Sequence, residues 1–131
     1  MLPKEFLERM EKMLGSCYRA FLESYENEEY KALRFNPMKG NKEVFLKNNS
    51  FSLSQIPWEE NGYYYAETDK PGKHPYHEAG VYYIQEPSAM APVFYLDPKP
   101  NEVILDLCAA PGGKSTQIGA RMNREGLLIT N

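Results

Sequence analysis

Val103-Ile104-Leu105-Asp106-Leu107-Cys108-Ala109-Ala110-Pro111-Gly112-Gly113-Lys114-Ser115-Thr116 is an apolar run that breaks into a turn of small residues and then becomes helix-compatible. A short, continuous apolar run of this kind has the pattern of a parallel strand buried on both faces. The segment from about Ser115 to Arg124 reads as a helix, Gly126 closes it, and Leu127-Leu128-Ile129-Thr130 begins a second buried strand. Strand, helix and strand make one βαβ unit, the building step of an open α/β sheet. Ligands bind such sheets at the carboxyl ends of the strands, which is where this turn falls.

The turn has what a loop for an anionic or zwitterionic ligand needs. Ala109, Ala110, Gly112 and Gly113 lack bulk, so backbone N–H groups can approach a ligand closely. The helix N-terminus that follows presents unpaired amides and a partial positive charge. Pro111 stiffens the turn, Ser115 or Thr116 can cap the helix, and Asp106 is expected to orient the loop. Gly113-Lys114-Ser115 is the second half of a phosphate-loop signature, which requires a glycine five positions before Gly113. Cys108 stands there instead, so an ATP or GTP site is the weaker reading. The dinucleotide fingerprint fails as well, for want of its glycine–any–glycine spacing. The cofactor that remains is S-adenosyl-L-methionine, whose carboxylate and amino ends would meet the small residues.

Upstream, Phe6, Met10, Met13 and Leu14 recur at helical spacing between Pro3 and a stop at Gly15. Tyr18, Phe21, Leu22 and Tyr25 form the stripe of a second helix that leaves through Glu26, Glu28 and Glu29, and both stripes read as core. Ala32 to Asn36 alternates like a strand and stops at Pro37 and Gly40. Asn41 is placed to cap a short helix carrying Val44, Phe45 and Leu46. Phe51 to Trp58 alternates until Pro57, and Gly62 to Ala66 reads as another strand, so residues 1–70 form an α+β unit. Residues 71–100 read as a linker and entrance helix. Lys70 to Glu78 is a loop, Gly80 to Gln85 fits strand or helix, and Pro87-Ser88 opens a helix ended by Asp97-Pro98-Lys99-Pro100. Residues 101–131 then hold the βαβ step.

The chain has 131 residues, 42% hydrophobic and 25% charged, which is enough to bury a core and far from a disordered composition. No apolar run approaches the roughly 18 residues of a membrane span, and the start lacks a basic segment followed by an apolar one. Cys17 and Cys108 lie far apart in sequence, which suits reduced thiols in a cytoplasmic protein. The net charge of −3 hides one basic stretch: Lys31, Arg34, Lys39, Lys42 and Lys47 against the single acid Glu43 within residues 31–50. That run reads as a solvated surface or, more sharply, as a patch for phosphates. His74 and His77 invite a metal reading, but no further His or Cys pair completes a ligand set. A loop with locally hydrogen-bonded histidines is the better expectation. Glu86 has no evident partner, and Tyr63 to Tyr65, Tyr76, Tyr82 and Tyr83 read mostly as half-buried sheet residues.

ILDLCAAPGGKSTQIGARM, with HPYHEAGVYYIQEPSAMAP upstream, closely resembles the NOL1/NOP2/sun family of RNA cytosine-C5 methyltransferases, particularly its bacterial 16S ribosomal RNA members. LPKEFLERMEKMLG, ALRFNPMK and GYYYAETDKPGKHPYHEAG extend the resemblance over most of the chain. It implies an α+β N-terminal domain followed by the first βαβ portion of a Rossmann-like, S-adenosylmethionine-dependent methyltransferase domain. It further implies that Cys108, Ala109, Ala110, Pro111, Gly112, Gly113 and Lys114 line the cofactor site and that residues 1–70 help hold ribosomal RNA of the small subunit. The segment from Tyr82 to Met90 is expected at the entrance to the methyltransferase domain, touching the cofactor side.

In this family a thiolate attacks C6 of cytosine and makes C5 nucleophilic, and a second cysteine assists release of the product. Both belong to proline–cysteine and threonine–cysteine motifs well downstream of the loop, and neither motif occurs here. Cys17 reads as a small core residue and Cys108 as a cofactor contact. The expectation is therefore the N-terminal part of a transferase, inactive alone, ending just before the acid that commonly binds ribose hydroxyls. A phosphate-loop nucleotide-binding protein and a non-catalytic RNA-binding module are the alternatives. A sheet cut short would also leave edges, so Val103–Leu107 and Leu127–Thr130 are expected to self-associate between copies or to be poorly ordered.

Overall fold

Four consecutive buried residues, Ala32–Phe35, form strand β1 at the centre of the molecule. Side chains alternate across a strand, so each face of β1 has its own core. Leu33 and Phe35 join Phe45, Tyr63 and Tyr82 on one side, while Ala32 joins Ile56 and Met90 on the other. Arg34 shares the second face and is buried there too. These relations come from a computed structural model that describes residues 2–27 and 29–131. Glu28, one of the acids expected at the exit of the second helix, lies outside them.

The elements run α1 (Lys4–Leu14), α2 (Tyr18–Glu23), β1, α3 (Lys42–Asn48), β2 (Leu53–Gln55), β3 (Gly62–Tyr65), α4 (Pro75–Glu78), β4 (Tyr82–Ile84), α5 (Pro87–Leu96), β5 (Val103–Asp106), α6 (Gly113–Arg121) and β6 (Leu127–Thr130). An antiparallel sheet has the order β2-β3-β1-β4, with Leu33 opposite Tyr63 on one side and Ile84 on the other. The ambiguous segment Gly80–Gln85 is thus a strand. It lies in the stretch 71–100 set apart as linker and entrance helix, and it pairs with β1. Lys70–Glu78 is more ordered than a loop, because Pro71 and Pro75 each occupy the first turn of a helical segment. Asn41 caps α3 as expected, its Oδ1 accepting from the Val44 amide at 2.9 Å. Phe45 is the one residue of that helix in the core, whereas Val44 and Leu46 are exposed.

Helix α5 joins the two halves. Met90 packs under β1, and Val93, about one turn on, meets Ile118 and Met122 of the C-terminal part. There β5 and β6 pair in parallel, Val103 with Leu127 through Asp106 with Thr130, and α6 covers one face through Ile104 and Leu128. The strands expected to pair between copies or to lack order are each ordered as the other's partner within the chain, and pairing between copies gains no support from this. Their outward residues Val103, Leu105, Leu127 and Ile129 are exposed.

The N-terminal helices depart from their expected role. Phe6, Phe21 and Tyr25 contact one another, with ring centroids 6.2 and 5.2 Å apart, but neither α1 nor α2 contains a buried residue. The stripes zip the helices into a hairpin instead of burying them in the sheet core. Cys17, expected in the core, is exposed in the 3-10 turn between them.

Gly126 illustrates a local backbone demand that sets the β5–β6 register. It has φ 105°, and a Cβ there would stand 2.3 Å from the Glu102 carbonyl oxygen, whose bond to the Leu127 amide leads into β6. Gly126→Ala is expected to destabilise the chain by about 3 kcal/mol, combining left-handed strain and overpacking. Gly40→Ala, with nothing within 4 Å of the added carbon, should stay within about 0.5 kcal/mol of wild type. Urea melts of the two variants check the contrast.

Candidate functional site

The turn between β5 and α6 is clamped from its own strand. Asp106, largely buried, accepts from the Cys108 amide through Oδ1 at 3.0 Å and from the Ser115 hydroxyl through Oδ2 at 2.7 Å. It thus ties both ends of the loop, the orienting role its position suggested. The expected side-chain cap on α6 is absent. Ser115 is turned to Asp106, Thr116 donates to the Gly112 carbonyl at 2.8 Å, and the N-cap position is Gly112 at φ 111°. A left-handed residue there makes the sharp entry into the helix without a polar cap. The Ser115 hydroxyl and the Cys108 amide hold the Asp106 carboxyl below its ordinary range.

The expected site residues fall together along this loop. Cys108, Ala110 and Pro111 are exposed, and Ala109, Gly112, Gly113 and Lys114 are half-buried. With Tyr83, Gln85, Glu86 and Ala89 they line a cavity of about 220 Å³, except that Gly112 lies just outside the lining. The segment Tyr82–Met90 therefore does touch this side. Glu86 has partners after all: it caps α5, accepting from the Ala89 amide at 3.2 Å and the Ser88 hydroxyl at 2.5 Å. A larger cleft of about 750 Å³ lies between the N-terminal sheet and helices α5 and α6, lined in part by Trp58, Glu60, Tyr95 and Asn123. The loop residues do not contribute to it.

Two amides of the loop are spent within the protein, that of Cys108 on Asp106 and that of Ala109 on the Asn131 carbonyl at 3.2 Å. A phosphate nest needs successive free amides converging on the ligand. The phosphate-loop alternative thus loses donors as well as its first glycine.

Residues that sequence reasoning missed hold the loop from below. Arg34, 5% exposed, donates to the Gly113 carbonyl at 2.9 Å, to Thr116 Oγ1 at 2.8 Å and to the Gln85 side-chain oxygen. Its guanidinium also stands 5.8 Å from the Tyr83 ring. Gln117, 1% exposed, donates to Glu59 Oε2 at 2.5 Å and to the Met90 carbonyl at 3.1 Å. Glu59 receives Arg121 as well, at 3.0 Å. Tyr83 adds a tether, its hydroxyl donating to the Pro111 carbonyl at 3.2 Å. Burial pushes the Arg34 guanidinium down to about 10, so it still carries its charge at neutral pH. Arg34 is therefore no part of a surface basic patch. Of the others, Lys31 pairs with Glu67 at 3.2 Å and Lys42 reaches the Glu60 carbonyl at 3.4 Å.

His74 is hydrogen-bonded locally, its Nδ1 accepting from the Tyr76 amide at 3.1 Å, whereas His77 Nδ1 is buried with no hydrogen-bond partner among the described residues. Among the described residues no group of three or more His, Cys, Asp or Glu is placed to hold a metal, and no helix is long and apolar enough to cross a membrane.

Comparison with known proteins matches both halves. Residues 2–87 match the N-terminal domain of 16S rRNA methyltransferase RsmF, and residues 93–131 match 16S rRNA methyltransferase RsmB/F. The chain belongs to the RsmB/F family. Ribosomal RNA small subunit methyltransferase F of Vibrio campbellii is 35% identical over 99% of the chain, and that of Escherichia coli O157:H7 is 34% identical over 98%. The tRNA (cytosine(49)-C(5))-methyltransferase of Pyrococcus abyssi is 38% identical over 98%. The chain spans 29% of the length of the two ribosomal RNA relatives and 44% of the archaeal one. A methyltransferase homologue from Pyrococcus horikoshii superposes with TM-score 0.79 at 29% identity, over 98% of this chain and 44% of its own. NSun6 from the same organism, solved with SFG, has TM-score 0.77 over 98% of this chain and 58% of its own, and at 17% identity shares the fold. The α+β unit and the parallel β5–β6 pair with its helix are thus the N-terminal domain and the start of the methyltransferase domain of this family.

A depressed carboxyl contributes stability that is present above its unfolded value of about 3.9 and is lost as pH falls through the folded value. Asp106→Asn should therefore be less stable than wild type at neutral pH, and the gap should shrink on acidification. Thermal melts from about pH 6 to about pH 2 measure it. A constant gap would mean that the clamp does not depend on the carboxyl's charge.

Proposed function

We propose that this chain forms the N-terminal, RNA-side part of a methyltransferase that transfers a methyl group to C5 of cytosine in small-subunit ribosomal RNA, with S-adenosyl-L-methionine bound at the 108–114 loop. The observation that carries the cofactor reading is the cradle itself. Gly112 takes a conformation that side chains rarely adopt, and a Cβ on Gly113 would come within 3.3 Å of the Gln85 amide nitrogen. Backbone conformation at Gly112 and a tight neighbour at Gly113 both disfavour a side chain, and bare backbone there lets a ligand come close. The cavity is smaller than the roughly 300 Å³ at which whole-ligand pockets begin, so the loop would take one end of the cofactor.

S-adenosyl-L-methionine, when bound, supplies the methyl group. Of the chain's own residues, Ala110, Gly112 and Gly113 give access to backbone, Ala109 contributes a small side chain to the lining, and the N-terminus of α6 with Lys114 favours the carboxylate end. Asp106 and Ser115 fix the loop's two ends. Neither cysteine is assigned a nucleophilic role: Cys17 is in the helical hairpin and Cys108 is a loop residue whose amide is bound to Asp106. On this reading the 131 residues bind but do not turn over alone, and the free thiols suit a reducing, cytoplasmic setting. RNA would be held by the N-terminal unit. Ribosomal RNA is preferred on the match to both 16S rRNA families, while the archaeal tRNA relative supplies the second reading.

Calorimetric titration with S-adenosyl-L-methionine and, separately, with ATP tests the cofactor. Binding of the former is expected, weakened about tenfold in Gly113→Val through loss of backbone access. ATP binding without a response to S-adenosyl-L-methionine would overturn the reading. Filter binding of a 16S rRNA fragment against tRNA distinguishes the two RNA classes.

A further inference from the structure

We infer that Arg34 is a positioning residue for the cofactor loop: from the N-terminal sheet, it holds Gly113 and Thr116 in the arrangement that the loop presents to its ligand. The inference rests on the cofactor reading above, but its decisive test needs no ligand.

Arg34 occupies an odd place for an arginine. It is the second of the two residues of β1 that face α5 and α6, where Ala32 is packed against Ile56 and Met90. An apolar side chain there would extend that core and spare the desolvation of a charge. Among the described residues no carboxylate lies within ion-pair distance of Arg34, since the acid of the cluster, Glu59, is taken up by Gln117 and Arg121. The direct acceptors of the guanidinium are the neutral oxygens of Gln85, Gly113 and Thr116, with Gln117 Oε1 at 3.5 Å. A cation near the first turn of a helix also opposes the helix dipole. Fold stability alone does not favour this arrangement.

Geometry supplies the reason. A planar guanidinium offers a fixed fork of donors, which can hold two acceptors in a set relation. Here the fork spans Gly113, next to left-handed Gly112, and Thr116, whose hydroxyl in turn donates to the Gly112 carbonyl. Both ends of that short circuit are set by one rigid group on β1. Gln85 braces the same group from β4, with its Nε2 bonded to the Ala89 carbonyl of α5 at 3.0 Å. Tyr83, on the same strand, tethers Pro111. The positive charge beneath the loop adds to that of the helix N-terminus and Lys114, and so favours an anionic end of the ligand rather than the protein's own stability. The N-terminal unit, on this view, shapes the cofactor site as well as holding RNA.

Amide hydrogen exchange of the full 131-residue chain, followed by mass spectrometry, tests this. Arg34→Gln is expected to speed exchange across Leu107–Thr116 by about tenfold, the scale of losing a hydrogen bond to a charged group. Protection of β3 should stay as in wild type. Thr116→Val removes one acceptor from the exposed side without altering β1, and should act in the same direction with a smaller effect. Because Thr116→Val also loses the hydroxyl's own bond to the Gly112 carbonyl, Arg34→Lys, which keeps the charge and loses the fork, decides the matter if Arg34→Gln fails to fold. It should loosen the loop with β3 unchanged, and wild-type loop exchange in it overturns the inference. Unchanged loop exchange in Thr116→Val, or loop exchange that rises only in step with β3, overturns the inference. Adding S-adenosyl-L-methionine to wild type reports separately on the cofactor: no added loop protection, with the variants still loosened, would sink the cofactor reading and leave the positioning role standing.

Discussion

One buried guanidinium couples the two halves of this molecule. Arg34 leaves the central strand of an antiparallel sheet and ends on the first turn of a helix that belongs to a different, parallel sheet. Removing a guanidinium from water is costly unless its donors are satisfied. The oxygens that satisfy them belong to Gln85 on one side and to Gly113 and Thr116 on the other, so α6 cannot shift away from β1 without orphaning a charge. The rest of the interface follows. Gln117, one residue beyond Thr116, reaches Glu59 and the Met90 carbonyl, and Arg121 closes the network one turn later.

Apolar packing works beside this network. Met90 and Val93, on one stripe of α5, sit in two different cores and so fix the distance between the N-terminal sheet and the parallel strands. That leaves little freedom for a flexible hinge between the N-terminal unit and the start of the methyltransferase domain. It also explains why β4, which follows the stretch of Pro71 and Pro75, belongs to the N-terminal sheet while the next residues already line the loop's cavity. The match passes from the N-terminal domain to the methyltransferase part between residues 87 and 93.

The loop is stiff for a related reason. Asp106 holds its two ends, Tyr83 holds Pro111 and Arg34 holds Gly113, so most fixed points come from outside the loop. Side chains are kept small where a ligand would come close, and polar groups are concentrated where the loop must be anchored. Preorganisation of this kind reduces the ordering that binding would otherwise require.

Local patterns were legible in the sequence wherever a residue's role depends on its neighbours in the chain. Asn41 as a cap, Gly15 as a stop, the two apolar strands and the small-residue turn between them are all settled within a few positions, by backbone conformation and hydrogen bonds of short reach. Gly126, expected to close α6, instead lies beyond its end at Arg121 and turns the chain into β6. The family resemblance rested on the same contiguous strings. Contacts between distant positions were not legible. Arg34 looked like one more base in a basic stretch, and Glu59 drew no notice, because their partners lie 79 and 58 residues away for Gly113 and Gln117. The stripes of α1 and α2 marked helices correctly, but amphipathicity does not say what a face packs against, and here they pack on each other. The sequence by itself determined most of the elements and the small-residue character of the turn. Only the tertiary structure decided which buried charge holds that turn in shape, because a charge becomes buried, and its donors become obligatory, only when distant segments close around it.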